Sequence, residues 1–519
     1  MTAVEPRAAG TPAELTRALT ALGGLEVRDG GATRGAVTIR TLQETLEQAT
    51  HALAAAPGVR LADMFADIDS GVATTLRLVW AHESGYLLTE TEIEGGQYPT
   101  LSGIAPAAFV EECEIYEQFG IRPAGGKPLN RVMLPPHAGP EFPRLGHAPP
   151  QPPEEMHAPH VVGGQAFEFP FGPVRQVGTE SLYYGLVTSG EELVDLYLFT
   201  WHKHRGVEWR LRGRTPREAM FFAERAEGLS AVAVGWAFAA AVEAALGVQP
   251  PPQAARTRAV ALELERLYNH AAAVAALCAS TGLAVGQSAA EIALERLLRL
   301  NAAAFGHRYL FGVVGPGGVR RDVHGDVLRR DLPGAYGELR RAADALLTTN
   351  SFMDRLEATG MLTAEQARRL GLVGPVARAT GLAVDARLAG PASGPYAVHP
   401  AAVVTAEGGD VLARFRVMLG EAAESVRLIG ELLDAGTGTG SATLPQAAGA
   451  GLGWAESPRG EALAWVALDE GGRIARARLR PGSVRNWRGF DDACRSQNVF
   501  TDIPIIEASF WLTVAGTAR

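Results

Sequence analysis

Between Pro135 and Pro159 the chain carries nine prolines in 25 residues. Proline fixes φ and has no backbone N–H, so neither a helix nor a central strand survives that density. The stretch is a stiff linker or an extended arm lying on another surface. It divides the 519 residues into a first unit, 1–135, a linker, 136–160, and a second unit, 161–519. At about 100–200 residues per domain, the length allows two to four domains. Hydrophobic residues make up 47% and charged residues 20%, which excludes wholesale disorder.

Apolar spacing predicts helices over 15–22 and 41–56, the first opened by Thr11-Pro12-Ala13-Glu14 as a capping box. Residues 72–80 and 86–93 are β-rich around Glu83-Ser84-Gly85 and read as a hairpin. A helix over 107–119 carries Glu111, Glu112, Glu114 and Glu117 on one acidic face. In the second unit, 165–200 reads as strands turning at Ser189-Gly190. Long helices follow over 216–246, 254–281, 289–306, 327–348 and 409–433, then a hairpin of 463–468 with 474–479. The fold class is α+β: a small N-terminal α/β domain, then a mostly α-helical domain with minor β-sheet.

Several function classes drop out. Cys113, Cys278 and Cys494 lie far apart with no CxxC, which excludes a disulfide framework, a zinc ribbon and a self-contained ferredoxin. The net charge of −9 lacks the basic field of a general nucleic-acid binder. Met1–Gly10 has no apolar run and does not read as a secretory signal. Residues 229–242 are uncharged but fall short of the ~20 needed to span a bilayer, so they read as a buried helix.

The densest polar cluster is Trp201-His202-Lys203-His204-Arg205-Gly206-Val207-Glu208. Histidines at i and i+2 with a carboxylate four residues on suit a metal site, a proton relay or a solvated loop. Glu263, Glu265, Arg266 and His270 share one helix at spacings that allow a buried ion-pair lattice. Gly317-Gly318-Val319-Arg320-Arg321-Asp322 lacks either phosphate-binding glycine pattern, so nucleotide binding is unsupported.

Taken in order, these pieces resemble one superfamily: the large subunits of membrane-bound energy-converting NiFe hydrogenases, of the formate hydrogenlyase and hydrogenase-4 type, and the homologous quinone-site subunit of respiratory complex I. The resemblance runs through Phe171-Gly172-Pro173-Val174, Lys203 to Glu208, Glu224-Arg225 and Gly317 to Asp322. It continues through Gly374 to Gly381, Asp385-Ala386-Arg387, Gly409-Asp410 and Glu456-Ser457-Pro458-Arg459-Gly460-Glu461. Residues 1–135 resemble the small α/β peripheral subunit of complex I, here fused ahead.

The departures narrow the function. The family's hydrogenases hold nickel and iron with two CxxC pairs, and Glu227, Ser230, Thr513 and Gly516 stand at those four positions. Such a set cannot make a soft, thiolate-held centre, so no NiFe site and no hydrogen turnover are expected. Arg175 replaces the histidine that in complex I points at the quinone, and His202 the tyrosine. The resemblance implies a nickel-free subunit of a membrane-associated, NADH-quinone oxidoreductase-like complex, peripheral on the cytoplasmic face. An iron–sulfur small subunit would supply the cluster, and antiporter-like membrane subunits would couple electron transfer to ion movement. His204 and Arg205 would approach that cluster and Glu208 would pass protons. Arg175 and His202 would line the vacated cavity, which would hold a quinone or another acceptor. Two alternatives remain: a non-catalytic scaffold, and a hydrolytic metal site at His202, His204 and Glu208.

Overall fold

The computed structural model of the chain describes residues 25–27, 33–69, 73–135, 138–151, 166–175, 180–200, 202–389, 391–495 and 497–519. The helix expected over 15–22 lies outside them. The first unit contains strands β1 (Leu25–Val27), β2 (Thr33–Arg34), β3 (Val37–Thr41), β4 (Arg60–Asp69), β5 (Ala73–His82) and β6 (Gly85–Ile93). Five of them form a sheet in the order β1-β3-β6-β5-β4. The expected hairpin is β5–β6, with His82 paired to Gly85 across the turn. Gly85 takes φ 138° there, a conformation that favours glycine. The helix expected over 41–56 starts later, as α1 (Leu46–Ala55), because β-branched Val37–Thr41 pairs with β6 as a strand.

Residues 75–82 are buried without alternation, because both faces of the sheet are covered. Leu76, Leu78 and Trp80 cluster with Ile39, Met64 and Ile115. Val79, Ala81 and Leu88 meet Ala450, Leu452, Leu463 and Trp465 of the second unit. The acidic helix α2 (Ala108–Phe119) is likewise a joint, with all four glutamates buried. Glu111 pairs with Arg485 at 2.7 Å. Glu114 pairs with Arg478 and with Arg519. Residues 138–151 lie on α2 as an arm: Arg144 donates to the Glu117 carbonyl at 3.0 Å, and Tyr116 donates to the Gln151 carbonyl at 2.7 Å.

The second unit opens with an antiparallel sheet of β7 (Ala166–Phe171), β8 (Tyr183–Ser189) and β9 (Glu192–Phe199). The main helices are α3 (Val207–Leu211), α4 (Pro216–Ala223), α5 (Ala231–Leu246), α6 (Pro252–Ser280), α7 (Ala284–Phe305), α8 (Gly325–Leu347) and α9 (Val411–Asp434). Then come β10 (Gly449–Ser457), β11 (Gly460–Leu468), β12 (Ile474–Arg480), α10 (Gly482–Cys494) and α11 (Ile503–Phe510). The expected two-stranded hairpin is thus a three-stranded meander, joined by β2 at its edge. Gly449, Gly451 and Gly453 let β10 lie directly on α5. A Cβ at these positions would collide with the carbonyls of Ala245, Ala241 and Ala237 in turn. Helix α5 is apolar enough to cross a membrane by composition, yet most of its residues are buried in this core.

The single helix expected over 216–246 is broken into α4 and α5, and the break, Glu224–Ser230, positions the site. It is held open from both sides. Arg205 takes the carbonyls of Arg225 and Ala226, while Glu265 takes the N–H groups of Val232 and Ala233. Those groups would otherwise belong to a continuous helix.

Candidate functional site

The site forms where the 202–206 loop, the break between α4 and α5, the β10–β11 turn and the 511–519 segment converge. Arg205 joins three of these backbones. Its guanidinium donates to the carbonyls of Arg225 (2.7 Å), Ala226 (2.6 Å) and Ala515 (2.5 Å). Gly206, at φ 60°, then turns the chain into α3. His204 is half-buried with Nδ1 unbonded. Burial holds its ring below the usual imidazole range, opposed by the nearby Glu208 and Glu114 carboxylates, so it favours the neutral form at pH 7.

Glu227, Ser230, Thr513 and Gly516, expected from the resemblance to stand at the thiolate positions, are brought together and buried. Thr513 Oγ1 donates to Glu227 Oε1 at 2.6 Å and lies 3.4 Å from Ser483 Oγ. A Cβ on Gly516 would lie 3.3 Å from the same Glu227 oxygen. Ser230 Oγ accepts from Arg459 Nη1 at 3.0 Å, and Arg459 also donates to the Trp511 carbonyl. Two buried polar atoms have no partner: Glu227 Oε2 and Arg459 Nη2. Burial holds Arg459 below the usual guanidinium range, opposed chiefly by Glu227.

This set does not fit the hydrogenase metals. One carboxylate, two hydroxyls and a glycine offer no thiolate, and the guanidinium of Arg459 repels a cation. The cysteines lie elsewhere, in α2, α6 and α10. Burial pushes the Cys113 thiol up to about 12 and Cys278 to about 11. Among the described residues no three His, Cys, Asp or Glu side chains cluster as ligands. His202, His204 and Glu208 therefore do not assemble into the hydrolytic metal site.

The other expected residues stand in specific company. Arg175 makes a two-pronged ion pair with Glu507, 2.9 Å on each prong, and lies over the Tyr184 ring at 5.5 Å. Its Nε donates to the Glu180 carbonyl, and the Glu180 side chain accepts from Val514 and Ala515 N–H. Glu180 thus links Arg175 to Ala515, whose carbonyl Arg205 holds. His202 is exposed, and partial burial lowers its pKa. Glu208 is buried, and both its oxygens are engaged: Oε1 by Leu479 N–H (2.9 Å) and Arg519 (3.1 Å), Oε2 by Arg476 (3.1 Å).

Behind the site runs the ion-pair lattice of α6. Arg266 bonds Glu263 at 3.2 Å, and His270 bonds Glu421 at 2.9 Å. Arg378 reaches Glu421, Glu456 and Asp385, and Arg387 reaches Asp385 and Glu263. All of these are buried. Sequence reasoning missed Glu180, Ser483 and Arg519 as site neighbours and placed Glu265 in the lattice, whereas it accepts from Val232 and Ala233 at the break between α4 and α5. Each acts through tertiary contact, without a local motif. Arg459 had a signal, its place in the Glu456–Glu461 run, but its contact with Ser230 crosses 229 residues of chain.

Three family models match along the chain: the 30 kDa subunit of respiratory-chain NADH dehydrogenase over 39–150, nickel-dependent hydrogenase over 205–279, and the 49 kDa subunit of the same dehydrogenase over 290–442. Formate hydrogenlyase subunit 5 of Escherichia coli (strain K12) is 29% identical, covering 81% of this chain and 76% of the relative. An NADH-quinone oxidoreductase subunit of Salinispora arenicola (strain CNS-205) is 32% identical, covering 53% of this chain and 74% of the relative. A chain in the solved structure of the membrane-bound sulfane sulfur reductase, an archaeal respiratory membrane complex, shares the fold. Its TM-score is 0.64 at 24% identity, over 69% of this chain and all of that one. The chain therefore belongs to the family that unites the large subunits of nickel-dependent hydrogenases with the 49 kDa subunit of respiratory-chain NADH dehydrogenase, with a 30 kDa-subunit segment ahead of it.

Proposed function

We propose that this protein is a nickel-free subunit of a membrane-associated oxidoreductase complex, built from two fused units, 1–135 and 161–519, joined through 136–160. It takes electrons from an iron–sulfur cluster held by a partner small subunit and passes them to a quinone or another acceptor. Antiporter-like membrane subunits couple the step to ion movement, and the chain docks peripherally on the cytoplasmic face. One observation carries this reading: the four former ligand positions converge as Glu227, Ser230, Thr513 and Gly516, with Arg459 bonded to Ser230. Arg205 supplies positive charge toward the partner's cluster, which stabilises the reduced state, while the unprotonated His204 adds none. Arg175 and His202 face the acceptor side. Glu208, buried with its oxygens engaged by Leu479, Arg519 and Arg476, is the acid that passes protons inward.

The test is metal analysis of the purified complex with a quinone-reduction assay. The expected result is iron without nickel, and quinone reduction that falls at least tenfold in His202→Ala or Arg175→Ala. Stoichiometric nickel would sink the reading. A scaffold role is the second reading, favoured by the pairing of Arg175 with Glu507. Electron transfer unchanged in both variants would establish it.

A further inference from the structure

A cavity of about 230 Å³ opens where α2 of the first unit meets β9 and α10 of the second. Its walls are mainly apolar, with Met133, Leu196, Leu198 and Trp487 among them. Charged groups at its edge are mostly spent on one another. Arg519 bonds Glu114 and Glu208, and Arg495 bonds Asp195 and Asp491. Arg488 is different. It lines the cavity half-buried, and among the described residues no carboxylate contacts it directly, although Asp491 on the same helix and the same cavity wall feels its charge. Its contacts are a long 3.4 Å bond to the Pro106 carbonyl and the Phe109 ring at 5.6 Å.

A guanidinium with no carboxylate in direct contact, set in an apolar-walled hollow, offers flat donors to an oxygen. The adjacent indole and aliphatic walls offer area to a ring. The volume is below the roughly 300–1,000 Å³ of pockets for drug-sized ligands, which limits the occupant to one or two fused rings. We propose that this cavity binds a planar aromatic molecule bearing a hydrogen-bond-accepting oxygen, with Arg488 as its anchor. The oxygen belongs to an aromatic carboxylate or to a quinone-type carbonyl. The site exists only where the two units meet, and Arg519, which lines it, bonds both Glu114 of the first unit and Glu208 of the second. Occupancy therefore tightens that joint, independently of the redox reading above.

Titration calorimetry on the full chain tests this, with 2-naphthoate and 2,3-dimethyl-1,4-naphthoquinone as separate probes. At least one probe is expected to bind one-to-one and to raise the unfolding temperature, the tighter of the two revealing which oxygen is read. Arg488→Ala weakens binding about tenfold or more, and Arg488→Lys restores part of the carboxylate's affinity. Leu198→Trp, which fills the cavity and keeps the charges, abolishes binding. Absence of binding by both probes at millimolar concentration overturns the proposal, as does binding that survives either Arg488→Ala or Leu198→Trp.

Discussion

Glu263 and Glu265 are two residues apart on α6, both wholly buried, and their carboxyls move in opposite directions. Burial pushes both up. Around Glu263, Arg387 and Arg266, with hydrogen bonds from Ser425 and Tyr396, reverse that push and hold it at about 2. Around Glu265, burial prevails over the Val232 and Ala233 N–H groups and the nearby Arg459, and the carboxyl is pushed up to about 8. Residues i and i+2 point about 200° apart around a helix, so one glutamate faces the lattice and the other the former ligand positions. In the lattice each carboxylate has a guanidinium or imidazole partner. At the former ligand positions the substitutes are incompletely matched, leaving Glu227 Oε2 and Arg459 Nη2 unbonded. The two regions thus differ in their carboxylates: those of the lattice each have a cationic partner, whereas Glu227 leaves one oxygen unbonded, although unbonded guanidinium nitrogens occur in both, on Arg378 and on Arg459.

Removing a lattice cation tests the comparison hardest. Arg378→Met strips Glu421, Glu456 and Asp385 of a shared partner. The expected loss is about 3–5 kcal/mol, read as a fall in the urea midpoint at constant slope. A loss below about 1 kcal/mol would erase the distinction between the regions.

The pH dependence of unfolding separates the two glutamates by sign. Glu265 has a folded value of about 8 against an ordinary 4.5. Folding therefore takes up a proton between those values, and stability falls as pH rises through that window. Glu265→Gln should remove that fall, a difference of roughly 4 kcal/mol between the two curves near pH 8. Glu263, at about 2, acts oppositely: its contribution is present above 4.5 and lost as pH falls toward 2. Parallel wild-type and Glu265→Gln curves would show that Glu265 is charged in the fold.

The smallest effect is expected at Glu227. Glu227→Gln keeps an oxygen for the Thr513 hydroxyl and replaces only the oxygen that has no bonded partner. Stability should stay within about 1 kcal/mol of wild type. A larger loss means that Glu227 and Arg459 act as a strong pair.

Much of this was legible in the chain. Helical periodicity located α6, α7, α8 and α9 within a few residues, because each buries a continuous apolar stripe. Glu263, Arg266 and His270 signalled the lattice through helical spacing alone. The break between α4 and α5 was not legible. Residues 216–246 keep a helical pattern, and what interrupts it is Arg205 and Glu265, which arrive from elsewhere. Strand β10 was missed because Gly449, Gly451 and Gly453 carry no strand propensity. Their meaning is the closeness of α5.

By itself the sequence determined the family and the α+β fold class, because the order and spacing of its motifs encode these directly. Only the tertiary structure decided that Glu227, Ser230, Thr513 and Gly516 meet, that Arg459 reaches into their cluster, and that the acidic face of α2 is buried against Arg478, Arg485 and Arg519. These contacts join residues hundreds of positions apart. Their partners, and hence their charge states, are set by which surfaces the two units bury against each other.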